Sequence, residues 1–293
     1  MSAERIERRR RRSRWKPDRE VVRFAPSWVS YVAMVAWFLI IALPIVWLVV
    51  TSLRSSESYR ASTVGWPEWE FSNYIDAWET ANFSVAVPNS IIYTVSIVAG
   101  VVVLACLGGY ALARYRFPGR LVMLAGLVIA MTIPFSSIMF GVYDVVDALG
   151  LLGNRLGVIL PAIALFLPFS IFYMRSFFLG IPEAIGEAAR IDGAGELTVF
   201  IRVMMPLASP GVATLCVFTG VWSWAMYLEP LLLASSSSLR PVALGLSFFT
   251  TEYGGTNQPL IAAAAVIIVL PLVILSIVLQ RRFVEGMTAG AVK

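Results

Sequence analysis

Apolar residues fall into six long runs, at about 28–50, 89–113, 121–143, 156–177, 210–233 and 259–279, with polar stretches between them. Each run approaches or exceeds the ~20 residues that a helix needs to cross the hydrocarbon core of a bilayer. The pattern predicts an all-α, polytopic membrane protein with six transmembrane helices. Pro44, Pro134, Pro161 and Pro168 lie inside these runs. Each removes a backbone hydrogen bond and so predicts a kink that faces protein or a cavity. Gly100, Gly108 and Gly109 in the second run offer small surfaces for close helix packing.

A long polar interruption beyond the N-terminal arm is 178–208. Ile181-Pro182 opens it, with the proline suited to a first helical turn and Glu183 and Glu187 near the positive end of the helix dipole. Ala184, Ala188 and Ile191 recur at helical spacing. Asp192-Gly193 then predicts a break, because Gly tolerates the left-handed geometry that closes a helix and Asp can cap the next one. Leu197, Phe200, Ile201 and Met204 give a second amphipathic segment, ended by Pro206 and Pro210. The local expectation is helix, tight turn, helix, held against the face of a membrane protein.

Composition agrees: 58% hydrophobic, 14% charged and a mean hydropathy of +0.78. A soluble domain would carry nearer ~25% charged residues. Histidine is absent, which removes imidazole bases, ligands and proton relays. Cys106 and Cys216 both sit in apolar runs, so neither a disulfide nor a thiolate metal site is indicated.

The net charge of +5 is concentrated. Residues 1–27 include Arg8 to Arg12, Arg14, Lys16, Arg19 and Arg23. This predicts a solvated cytoplasmic arm that touches anionic membrane lipid. No folded basic domain accompanies it, so no nucleic-acid partner is expected. The arm is too far from the first apolar run, and that run too long, for a cleaved signal peptide. Of the 23 Lys and Arg residues, only Arg54, Arg60, Arg155 and Arg240 fall in the loops opposite the arm. That asymmetry puts both termini and the 178–208 loop in the cytoplasm.

No Walker-type phosphate loop occurs in the chain. Uphill transport would then draw on an ion gradient or on another subunit. The interiors of the six runs lack acidic residues; Asp144, Asp147 and Glu229 sit near run ends. This disfavours an ion-coupled secondary carrier, although backbone carbonyls alone can hold Na⁺. A membrane-embedded enzyme is disfavoured by the absence of His and of any mid-membrane acidic pair. The remaining option is a docking surface for a separate motor.

Glu187-Ala188-Ala189-Arg190-Ile191-Asp192-Gly193-Ala194, followed by Phe200 to Leu207, resembles the EAA loop of binding-protein-dependent ABC importer permeases. The turn from Arg114 to Arg120 resembles the R-x-F-x-G-R turn of the same family. Trp222-Ser223-Trp224 stands where the sugar branch carries Trp-Asn, with Ser223 in place of the Asn. The ending, from Arg282 to Lys293, is similar to that of maltose-type permeases. Met205 replaces the commoner Leu before Pro206, a volume-conserving change.

The resemblance implies a subunit with no catalytic, metal or cofactor site of its own, in the inner (plasma) membrane of a bacterium. Its expected partners are a second, non-identical permease subunit, two ATP-binding cassette subunits that hold ATP and Mg, and an extracytoplasmic sugar-binding protein. It implies an arm at 1–27, a permease domain at 28–280 containing the coupling loop, and a cytoplasmic tail at 281–293. Glu187 would pair with an ATPase Arg or Lys, Ala188 and Ala189 would allow close approach, and Gly193 would make the turn. Asp192 and Pro206 belong to the same motif. Gly286, Gly290 and Lys293 match tail positions that reach between the ATPase subunits.

For the sugar path, Trp222, Trp224 and Tyr227 offer aromatic faces that stack on sugar C–H surfaces. Interfacial anchoring or helix packing is the competing reading. Ser136, beside Pro134, is similarly either a polar lining or a local backbone hydrogen-bonding group. Lys16 and Lys293 are the only lysines. That Arg bias hints at a GC-rich genome and, with overall likeness, favours a trehalose-type importer, with maltose or other oligosaccharides as alternatives.

Overall fold

The computed structural model describes residues 28–252 and 257–291. Every regular element among them is helical. The chain divides between Val46 and Trp47 into two compact units. To the first belongs most of α1 (Trp28–Ser52), an apolar helix with Pro44 inside it. Trp28, Phe38 and Leu43 are each at least 68% exposed. Such a surface suits lipid, not water.

The second unit holds α2 (Ser56–Ala61), α3 (Ser72–Thr80), α4 (Phe83–Arg114), α5 (Arg120–Thr132), α6 (Phe135–Ala148), α7 (Leu156–Gly180) and α8 (Glu183–Ile191). It continues with α9 (Glu196–Leu207), α10 (Ser209–Trp224), α11 (Leu228–Leu233), α12 (Gly245–Glu252) and α13 (Gln258–Ala291). At its centre α4 packs along α7. A Cβ on Gly109 would lie 2.8 Å from both the Arg175 backbone nitrogen and Met174 Cβ, so only glycine permits this approach. Gly100 and Gly108 likewise face Ile163 and Ile171, as expected for small packing surfaces.

Helices α1, α4 and α7 and the stretch Gln258–Leu275 of α13 are long and apolar enough to cross a membrane. The protein is an all-α polytopic membrane protein. The other two predicted spans are broken. In the third, helices α5 and α6 meet at 105°; the fifth stops early, and α9, from the loop before it, joins α10 at 74°. The first break has a local cause: Ile133 precedes Pro134, whose ring disfavours helical geometry there, and Ile133 is extended at ψ 113°. Pro134 then caps α6 instead of kinking one continuous helix. The predicted run at 210–233 ends as a helix at Trp224, and its remainder forms the separate α11. The 16 residues of α10 span about 24 Å, short of the ~30 Å hydrocarbon thickness. Up to six crossings result only if each bent pair counts as one.

Polar anchors hold the connecting segments. Buried Arg54 donates to the carbonyls of Ser58, Ser62 and Thr63 and so organises the chain after α1. Asn89 Nδ2 donates to the Ser238 and Arg240 carbonyls, and Tyr93 Oη to the Leu239 carbonyl. These bonds pin the loop before α12 to α4. An apolar cleft of about 700 Å³ opens at the α5–α6 elbow, bordered by Ile133, Val142, Leu160, Pro161 and Pro168.

Candidate functional site

The loop between α7 and α10 is seated on the ends of α4 and α7. One apolar cluster joins Ala105 and Tyr110 of α4, Met174 and Phe178 of α7, and Val199 and Met204 of α9. The Tyr110 ring lies 5.4 Å from that of Phe178 and 4.9 Å from that of Phe200. At the loop entrance Arg114 Nη2 donates to the carbonyls of Phe178, at 2.9 Å, and Ile181, at 2.6 Å. A guanidinium thus caps the end of α7, where unpaired carbonyls carry partial negative charge.

Pro182 then occupies the N-cap of α8, one position before the predicted first turn. The helix closes at Gly193, in the left-handed region at φ +86°. The Ala194 amide donates to the Ala189 carbonyl and the Gly193 amide to that of Arg190. This pair of bonds is the Schellman termination, and it fixes the exit angle of the chain. Asp192 is the C-cap of α8 and does not cap the next helix, because α9 starts only after Gly195.

The side-chain directions differ from the expected apolar stripes. In α8 only Gly186 is buried; Ala184, Glu187, Ala188 and Ile191 face outward, Ile191 at 86% exposure. In α9 the buried residues are Val199 and Met204, while Leu197 and Ile201 are 68% and 54% exposed. The cause is π-helical winding over Val199–Met204, visible in the Met205 amide donating to the Phe200 carbonyl. A wider turn shifts the inward positions away from the 3.6-residue period. The outer surface of the loop consequently exposes the apolar side chains of Ile185, Ile191, Leu197 and Ile201, with Glu187 one turn before Ile191 on the same face of α8. Ala189 is half-buried, and Asp192, Gly193 and Pro206 are exposed.

A polar clamp closes the loop. Arg190 Nε donates to Glu196 Oε1 at 2.6 Å across the turn, and Tyr115 Oη donates to Glu196 Oε2 at 2.6 Å. The bonds from Arg190 and then Tyr115 hold the Glu196 carboxyl below the usual carboxylate range. The same carboxylate pushes the Tyr115 phenol up to about 12. Glu196 and Gly186 are not singled out by the loop pattern, and Arg114 and Tyr115 enter the sequence only as part of the basic turn, with no role assigned. Glu196 reads there as a solvated charge, and its Tyr115 partner is 81 positions away. A Cβ on Gly186 would lie 2.7 Å from Met204 Cε, so this glycine lets α9 fold back on α8.

The remaining expected positions are scattered. Trp224 is 8% exposed and its Nε1 donates to the Ile268 carbonyl of α13, as helix packing requires. Trp222 packs among Phe166, Phe169 and Phe218. Tyr227 is exposed just before α11, and Ser136 is exposed in the first turn of α6. Gly286 and Gly290 lie on the α13 backbone, which runs unbroken to Ala291. Lys293 and the arm at 1–27 lie outside the described residues.

Residues 102–289 match the model of the binding-protein-dependent transport system inner membrane component. The chain is 32% identical over 268 residues to the diacetylchitobiose uptake system permease protein NgcG of Streptomyces coelicolor, covering 89% of this chain and 87% of that one. It is 31% identical over 256 residues to the trehalose transport system permease protein SugB of Mycobacterium tuberculosis, covering 86% and 92%. Among solved structures, a chain of a bacterial ABC transporter involved in the import of the acidic polysaccharide alginate matches with a TM-score of 0.75 at 27% identity. That match covers 87% of this chain and 95% of the other.

Proposed function

The chain belongs to the family of binding-protein-dependent transport system inner membrane components, and from that premise we propose that it is the permease subunit of an ABC importer for a di- or oligosaccharide. It would form half of the translocation path beside a second, unlike permease subunit. Two ATP-binding cassette subunits would lie beneath the permease pair, one of them docking on the loop at 178–208, and an extracytoplasmic protein would deliver the sugar. Both termini would then face the cytoplasm, with the arm at 1–27 and the tail at 281–293 flanking the permease domain. The sugars for which these relatives are named, diacetylchitobiose and trehalose, support the oligosaccharide class. A trehalose-type sugar is the narrower proposal.

The observation that carries this reading is the set of exposed side chains on α8 and α9. Apolar side chains and Glu187 stand exposed on a segment that is itself tied down at Arg114, at Glu196 and through the Tyr110 cluster. A partner pressing on α8 therefore moves the ends of α4 and α7 together, because the seat cannot yield by sliding. In this mechanism ATP supplies energy in the partner subunit, and this chain contributes the lever. Glu187 offers a charge to a cationic ATPase residue, while Ala188 and Ala189 keep the contact close.

Reconstitution of the assembled transporter in vesicles tests the proposal. Sugar should accumulate only with ATP on the cytoplasmic side and with the loaded binding protein opposite. Accumulation driven by an ion gradient without ATP would assign the chain to the ion-coupled carriers instead.

A further inference from the structure

We propose that the cleft between the 115–119 turn and α7 binds the headgroup of one anionic phospholipid in the adjoining leaflet. The cleft measures about 490 Å³, and three guanidinium groups border it, those of Arg116, Arg120 and Arg175. None of the three forms an ion pair with a carboxylate among the described residues. The Arg120 Nε is buried without a hydrogen-bond partner, and Arg175 Nε spends its one long bond, 3.3 Å, on the Leu112 carbonyl. Like charges held together without a counterion are costly, and a phosphodiester supplies the missing charge and acceptors.

Two further features bear on the occupant, and the second selects a lipid over a free anion. The first turn of α5 opens at the cleft with Gly119 as its N-cap and no side-chain cap, so backbone amides there also favour an anion. The next residues bordering the cleft are Leu121, Val122 and Leu124. Leu121 and Val122 are 80% and 75% exposed, a wet cost that acyl chains would remove. Phosphate at the guanidiniums and hydrocarbon at the leucines is the layout of a lipid at the membrane interface.

Native mass spectrometry of the assembled transporter, purified from an equal mixture of phosphatidylglycerol and phosphatidylcholine, tests this. The wild type should retain phosphatidylglycerol at least fivefold over phosphatidylcholine. Arg116→Gln with Arg120→Gln should bring the ratio within twofold of unity. Leu121→Asn with Val122→Asn, which keeps every guanidinium, should lower retention of both lipids and covers the case in which the first pair fails to assemble. Glycerol 3-phosphate at millimolar concentration should not displace the retained lipid. Equal retention of the two lipids by the wild type, an unchanged ratio in the arginine pair, or displacement by glycerol 3-phosphate would overturn the proposal. So would loss of copurifying ATPase in the arginine pair with lipid retention intact, since that would make the cleft a protein contact.

Discussion

Arg190 and Glu196 meet across the Gly193 turn with Nε and Oε1 2.6 Å apart, and the second carboxylate oxygen is held by Tyr115 from the end of α4. The turn is thereby fastened to a transmembrane helix and not merely closed on itself. Both partners of the ion pair are more than one-third exposed on the side chain or close to it, at 35% and 51%. Such a pair adds at most ~1 kcal/mol to global stability. Its consequence is local order.

Glu196→Gln should therefore leave the amount of assembled transporter near normal while hydrogen exchange at 183–198 rises several-fold. The effect should depend on pH in a definite sense. Glu196 has a depressed pKa, so its contribution is present above the usual value of 4.5 and is lost as pH falls. Tyr115 has a raised one, so its contribution is complete below its usual 10.0 and is lost as pH rises through about 12. Protection of the loop in the wild type should stay flat across neutral pH and fall at both ends. In Glu196→Gln the acid limb should disappear.

Arg114→Gln removes two bonds to carbonyls at the end of α7, each charge-assisted. A cost of about 1.5–3 kcal/mol is expected. Limited proteolysis near Ile181 should quicken accordingly. Arg114→Lys should rescue only part of the loss, because an ammonium on a shorter, freely rotating stem is not held in the plane that aims both Nη2 hydrogens at these carbonyls.

Gly109→Ala should destabilise the α4–α7 pair by roughly 1–3 kcal/mol, since the added methyl meets backbone at 2.8 Å and has nowhere to go. Gly186→Ala should cost less, because the atom it meets is the mobile end of Met204. Gly126→Ala, with nothing within 4 Å, serves as the control. The order of melting temperatures in detergent should follow that ranking.

Much of this architecture is legible in the apolar pattern, which places α1, α4, α7 and α13 directly. It falters where the backbone departs from an even period. Pro134 reads as a kink, whereas the extended backbone that it imposes on Ile133 makes a 105° elbow. In α9, the π-helical winding makes Val199 and Met204 the inward residues and turns Leu197 and Ile201 out. Ala184, Ala188 and Ile191 do form a stripe, but spacing alone carries no information on which way it points. The Glu196 clamp joins groups from α4, α8 and α9, and a contact between distant segments has no local signature. Gly193 is the opposite case: its role is written in the Asp-Gly pair and appears in the structure as a left-handed residue.

The central claim is that the outward face of α8 that carries Glu187 transmits force between this chain and an ATPase. The direct test is sugar-stimulated ATP hydrolysis by the assembled transporter carrying Glu187→Lys. Glu187 is exposed and forms no ion pair among the described residues, so insertion and subunit assembly should match the wild type. Stimulation by the loaded binding protein should fall at least tenfold, and uptake with it. Normal stimulation and normal uptake in Glu187→Lys would contradict the account.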